Sequence, residues 1–419
     1  MAKRLSRAEV PVELTWDLTD LFPDDSAWEQ EFNSVGMEIK NVNRFKGKFA
    51  EGPSVLLECF EFVENMVKRV FRVGSYASLK MSADGTYPSN QSMASRVGAL
   101  AAQLGAELSF IQTELLDLPE ETVKKYFEEE PRLKDFERMV RKLLKLKPHI
   151  LHPETEMTLA ALGEVLDAPS TIYQVSKAAD MSFEPITDKD GNQLPMSFSL
   201  YENRYELSPD TVLRRNAYNS FTEGLKRYQN TYGATLGTEF RKNVVTAKLR
   251  NYQSAIHMFL YQQEVPIEVY NNLHDTILKE LAPHMRQYAH LRKEVLGLDE
   301  ILYCDLEAPL DPEFNPQTTF EEASEIISKG LSILGPEYIE IINTGLKNRW
   351  IDLADNIGKS TGAFCNPVPD VHPYILTTWT DNMRDALTLA HELGHAGQGE
   401  LSFRYQRLAN ANAPMFFVE

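Results

Sequence analysis

Apolar positions recur three and four residues apart through much of the first half of the chain. Between about Ser54 and Gly163, "VLLECFEFVENMVKRVFRVGSYASLKM" and "SMASRVGALAAQLGAELSFIQTELLDL" keep that spacing over many turns, which predicts a succession of long amphipathic helices. The run "GALAAQLGAEL" sets small residues where a neighbouring helix can approach closely, at some cost in propensity at each glycine. "VRKLLKLK" reads as a further amphipathic helix with its basic face in solvent. No motif returns at a fixed period, so a repeat architecture is not indicated.

Around Met181 to Leu207 the pattern changes. "SFEPITDKDGNQLPMSFSLYENRYEL" holds an Asp190-Gly191 turn signal between short β-prone runs, predicting a hairpin and a domain boundary near residue 190. Helices then resume, with Ser208 as candidate N-cap and Pro209 in the first turn. The stretch "PIEVYNNLHDTILKELAPHMRQYAHLRKEVLG" should kink at Pro283 and end near Gly297. Thr319 with Glu322 forms a capping-box pattern ahead of an apolar stripe. "YILTTWT", rich in β-branched and aromatic residues, predicts a strand leading into the next helix.

Composition narrows the class. With 43% hydrophobic and 25% charged residues the chain has the make-up of an ordinary globular protein. A formal net charge of -18 opposes phosphate backbones and anionic lipid, so neither nucleic acid nor a membrane is an expected partner. No window reaches about 18 uninterrupted apolar residues. Cys59, Cys304 and Cys365 are far apart and in no paired or ligand spacing, which fits reduced thiols and makes the cytoplasm the expected location. Nothing in the pattern specifies an oligomeric state.

The chemistry concentrates in "LAHELGHAGQGE". On the helix expected here, capped by Thr380 or Asp381 and weakening at Gly397 and Gly399, His391 and His395 are one turn apart on one face. Glu392 sits about 100° round. Neutral imidazoles suit Zn²⁺, which lowers the pKa of a bound water to about 7, and an adjacent carboxylate can take its proton. With nine histidines in the chain, an accidental match of this kind has a chance of about 2%. His149, His152, His257, His274, His284 and His290 lack such a partner and read as surface or satisfied core residues. His372, just before the expected strand, stays open as a ligand, and Cys365 is close enough in sequence to watch.

A catalytic zinc usually takes three protein ligands. The pattern HExxHxxGxxH fails, because Gln398 and Leu401 stand where its glycine and third histidine would be. Two glutamates follow the motif. Glu400 would have to fold back on its own helix, whereas Glu419, after the turn signal in "RLANANAP", could return antiparallel to the metal and is favoured.

"TLAHELGHAGQGELSFRYQRLANANAPMFFVE" resembles the active-site segment of the thimet oligopeptidase superfamily, in its oligoendopeptidase F branch. "VELTWDLTDLFPDDSAWEQEF", "AKLRNYQSAI", "YCDLEAPL" and "GKSTGAFCNP" extend the resemblance over nearly the whole chain. It implies one zinc per chain held by His391, His395 and Glu419, with Glu392 as general base and acid. The implied fold is mainly α, an elongated two-lobed helical body with a deep channel and a small β-sheet beside the HExxH helix. The implied division is an N-terminal helical domain, 1–190, and a catalytic domain, 191–419. The implied activity is endoproteolysis of short oligopeptides, with "HPYILTTWT" a candidate strand for pairing with them. A helical zinc exopeptidase and a non-catalytic peptide-binding fragment are the alternatives. Catalytic domains of the family continue past the third ligand and supply a histidine and tyrosines for the oxyanion. None follows Glu419, so the catalytic domain is expected to be incomplete and nearly inactive alone.

Overall fold

The structure, a computed structural model, describes residues 5–314 and 316–418. It is mainly helical, with one two-stranded and one three-stranded sheet among the described residues. The chain forms two compact units, one of Met1–Lys147 with Pro316–Glu419, the other of Pro148–Asn315. This differs from a single boundary near residue 190: the first unit gathers the two ends of the chain, and the second is an insertion between them.

In the first unit, helix Asp25–Glu38 is followed by Pro53–Ala83 and Pro88–Asp117, the two long helices that the apolar spacing predicts. Pro53 and Pro88 open the last two, where the missing amide hydrogen costs nothing. Their inner faces share one core with Trp16, Trp28 and Leu100. The short strands β3 (Ile351–Asp352), β4 (Phe364–Asn366) and β5 (Tyr374–Leu376) lie in the order β3-β5-β4, with β5 parallel to β3 and antiparallel to β4.

Alternation along β5 joins two cores. Tyr374 and Leu376 enter the Trp16 cluster, while Ile375 turns to the opposite face, against Leu389 and Leu393 of helix Met383–Tyr405. Leu389 and Leu393 are fully buried, each contributing on the order of 1.5–3 kcal/mol of transfer free energy. The sheet therefore fixes the face that this helix turns inward. Phe320–Leu331, started by the Thr319/Glu322 capping box, and Pro336–Lys347 pack on the same core.

In the second unit, β1 (Ile186–Thr187) and β2 (Gln193–Leu194) pair around the turn at Gly191, whose φ of 81° only glycine adopts freely. The cap of the following helix, Thr211–Lys226, is Asp210 rather than Ser208. The Asp210 carboxylate accepts from the amides of Val212 and Leu213, while Ser208 Oγ accepts from the Asp210 amide. The expected kink at Pro283 is absorbed just before it, by a π-helical turn at Ile277–Leu281. The helix resumes as Ala282–Val295 and stops before Gly297, at φ 62°. Buried Arg214 is paired with Asp305 at 2.9 Å, which ties Thr211–Lys226 to the turn at Tyr303–Asp305.

Candidate metal centre

Helix Met383–Tyr405 carries the motif, and it begins one residue later than expected. Asp381 occupies a left-handed turn, φ 57°, so its backbone cannot serve as an extended cap. Asn382 takes that role, its side chain accepting from the Asp385 amide at 2.9 Å. The Asp385 carboxylate reaches back to accept from the Thr380 amide and hydroxyl, closing the first turn.

The helix is also longer than the glycines suggest, and it does not weaken at Gly397 and Gly399. Both are buried where a side chain has no room. A Cβ on Gly397 would lie 2.5 Å from the Tyr338 ring, and one on Gly399 2.4 Å from the ring of Pro367, which follows β4. A Cβ on Gly394 meets nothing within 4 Å. Gly399→Ala is therefore expected to destabilise the fold by about 1–3 kcal/mol, because the Pro367 ring cannot swing aside. Gly394→Ala should be neutral or stabilise by up to about 1 kcal/mol. Chemical denaturation of the two variants checks this, and equal midpoints would refute the packing role of Gly399.

His391 is exposed, His395 half-buried and Glu392 buried. The two imidazoles stand edge to face, centroids 4.6 Å apart, with their Nε2 atoms 3.0 Å from each other. Two nitrogens bound tetrahedrally to one zinc at about 2.0–2.1 Å would be roughly 3.3 Å apart, so this pair fits a shared ion with little adjustment. Among the described residues no group of three or more histidine, cysteine or acidic side chains meets in this way. Glu419 lies outside the described residues.

A cavity of about 540 Å³ opens over the pair, with His391, Glu392 and His395 in its lining. Phe364, Cys365 and Asn366 of β4 form one wall, and Phe71 of helix Pro53–Ala83 adds an aromatic face. Burial, together with the charge of Glu392, pushes the Cys365 thiol far above its usual range. The chain after the motif helix also comes back to this cavity, through Ala411, Asn412, Ala413 and Val418. Glu400 instead pairs along its own helix with Arg404, at 3.1 Å.

His372 is not in the lining. It stacks on Trp350, centroids 4.7 Å apart, and its Nε2 lies 3.1 Å from Asp20. The pairing strand expected in "HPYILTTWT" also needs correction. β5 spans only Tyr374–Leu376, is wholly buried and has β3 and β4 on its two sides, so neither edge is open to a peptide. The strand at the cavity is β4. Phe364, the one β-prone residue of "AFCN" between Gly362 and Pro367, was the only local signal, hidden among helix breakers. Phe71 had no local signal.

The fold is thus a mainly helical one in which an HExxH helix packs on a small mixed sheet. Residues 204–419 match peptidase family M3, and residues 114–183 match Oligopeptidase F. The chain belongs to peptidase family M3. It is 34% identical over 413 residues to Oligopeptidase PepF of Bacillus subtilis, covering 99% of this chain and 61% of that protein. An Oligoendopeptidase F homolog of Lactococcus lactis is 30% identical over 423 residues, covering 100% and 69%. A crystal structure from Chlamydophila abortus superposes with a TM-score of 0.81 at 27% identity, covering all of this chain and 70% of that one. Oligoendopeptidase-F from Enterococcus faecium gives 0.62 at 28% identity over 77% of this chain and 60% of its own.

Proposed function

We propose that the chain carries the metal centre of a zinc-dependent endopeptidase that cleaves internal bonds of short oligopeptides. The observation that carries this reading is the convergence of the His391 and His395 Nε2 atoms at 3.0 Å in the lining of a cavity shared with buried Glu392. Membership of family M3 and relatives named oligopeptidase and oligoendopeptidase F support the substrate class.

His391, His395 and Glu419 are the ligands in this reading, one zinc per chain. Val418, immediately before Glu419, lines the cavity, which supports the third assignment. When bound, the ion supplies a water of lowered pKa and polarises the scissile carbonyl. The chain's own residues do the rest. β4 has β5 on one side and the cavity on the other, so its outer edge can pair with an extended peptide and hold it in register. Phe71 offers an apolar surface to a substrate side chain. Glu392, shielded from bulk solvent, takes the proton of the attacking water and returns it to the departing amine. The three cysteines are free thiols and no described helix is long and apolar enough to cross a membrane. Free thiols support the cytoplasm as its place of action.

Mass spectrometry of the products from a defined peptide mixture tests this, alongside metal analysis. Expected are about one zinc per chain and, at the low rate expected of the catalytic domain alone, fragments from internal cleavage, both lost to a chelator and restored by zinc. Hydrolysis that survives complete removal of metal would sink the proposal. Release of end-units one after another would replace it with an exopeptidase.

A further inference from the structure

The short helix after the motif helix is held from outside itself. Leu408–Ala411 has four residues and buries only Ala411. A single turn fixes many dihedral angles for few hydrogen bonds and does not persist by its own stability. Its neighbours must therefore place it.

The anchors are polar and come from the first third of the chain. Arg407, immediately before the helix, pairs through Nη1 with Glu64 Oε2 at 2.9 Å and through Nε with Asp135 Oδ2 at 3.3 Å. Its guanidinium lies 5.2 Å from the centroid of the Phe136 ring. The second Glu64 oxygen accepts from the Leu408 amide at 2.8 Å, and the Asn410 side chain donates to the Asp135 carbonyl at 2.8 Å. Only 10% of the Glu64 side chain is exposed, and both its oxygens are engaged by this segment. Charge-assisted bonds from a planar guanidinium fix direction as well as distance.

Glu64 stands on helix Pro53–Ala83, seven residues before Phe71, so the two lie on nearly one face of it, two turns apart. Phe71 lines the cavity over the histidine pair, and so do Ala411, Asn412 and Ala413, the residues into which Arg407 and Leu408 lead. One helix thus supplies an aromatic part of the cavity and fixes another part at a distance. Asn412 is extended, with φ -77° and ψ 120°. Between two alanines, this stretch sets the room in the cavity by where its backbone runs, not by side-chain bulk.

Resting on the endopeptidase reading of the cavity, we infer that Glu64 and Arg407 are positioning residues. They set how far the wall Ala411–Ala413 stands into the cavity, and so the size of residue that a peptide can carry past the histidine pair. Neither of them lines the cavity, so each acts through the wall.

Arg407→Ala and Glu64→Ala are compared with Glu64→Gln, which keeps an acceptor for the Leu408 amide. The control is Arg69→Ala, which removes the partner of Glu31 and Glu38 from the same helix. Two peptides, alike except for alanine or phenylalanine beside the cleaved bond, compete in one mixture with the zinc-loaded protein, and mass spectrometry reads the ratio of their kcat/KM. That ratio is independent of how much protein is folded, so a merely structural role leaves it unchanged. Expected is a shift of about tenfold or more toward the phenylalanine peptide in Arg407→Ala and Glu64→Ala, a smaller one in Glu64→Gln and none in Arg69→Ala. Amide hydrogen exchange reads the wall without substrate: residues 408–413 should exchange about tenfold faster or more in the first two variants, with residues 390–398 unchanged. An unchanged peptide ratio, an equal shift in Arg69→Ala, or unaltered exchange at 408–413 would each overturn the inference alone. Wild-type protein that cleaves neither peptide would overturn the endopeptidase reading, and this inference with it.

Discussion

Glu392→Gln is expected to lower peptide hydrolysis by a factor on the order of 10² to 10⁴ while zinc content and peptide affinity stay at the wild-type level. Glutamine has nearly the shape of glutamate, so the buried position in the cavity lining remains filled and the His391/His395 pair is not displaced. What it cannot do is accept a proton. The loss should therefore fall on kcat with KM little changed, as when an interaction used only in the transition state is removed. Kinetics on the native protein with a quenched peptide, beside metal analysis, separate this from misfolding. Unchanged kcat would remove Glu392 from the proposed mechanism, and loss of zinc would make it a structural support of the metal.

The second large effect lies beneath the sheet, away from the cavity lining. Asp352 on β3 has no exposed side-chain surface, and two cations converge on it. Lys359 Nζ, itself buried, lies 2.8 Å from one Asp352 oxygen and also donates to the carbonyls of Asp352, Ala354 and Thr377. Arg7 grips the carboxylate with both terminal nitrogens and donates to Asn356. Burial pulls the Lys359 amine below the usual lysine range, with the Asp352 charge opposing that shift.

Asp352→Ala would leave a buried ammonium without its counter-ion, and a cost of about 3–5 kcal/mol is expected. Lys359→Met combined with Asp352→Leu removes both charges from this buried contact and should cost less than Asp352→Ala. Denaturant unfolding of the two variants beside the wild type measures the difference. A change under about 1 kcal/mol for Asp352→Ala would show that the cluster is solvated and not a structural clamp. Because Lys359 joins the ends of β3 and β5, loosening it should also disturb the segment that leads into the Asn382 cap.

Features encoded within a few residues were legible in the sequence. The 3.6-residue rhythm marked the long helices, the Asp190-Gly191 pair marked the hairpin, and Thr319 with Glu322 marked a helix start. The spacing of His391 and His395 on one helix is likewise a local property, and their nitrogens converge as that spacing requires. Corrections came where a local signal had two meanings. Gly397 and Gly399 read as helix weakening, whereas they admit Tyr338 and Pro367. Asp381 read as a cap, whereas the chain turns left-handed there.

The sequence by itself determined a helical protein with an HExxH pair, because periodicity and one-turn spacing follow from backbone geometry alone. Tertiary structure decided what surrounds that pair. It placed β5 inside the sheet and β4 at the cavity, brought in Phe71 from more than 300 positions away, and joined Arg7 to Asp352. Such contacts arise from the packing of whole faces, and no short-range pattern records which faces will meet.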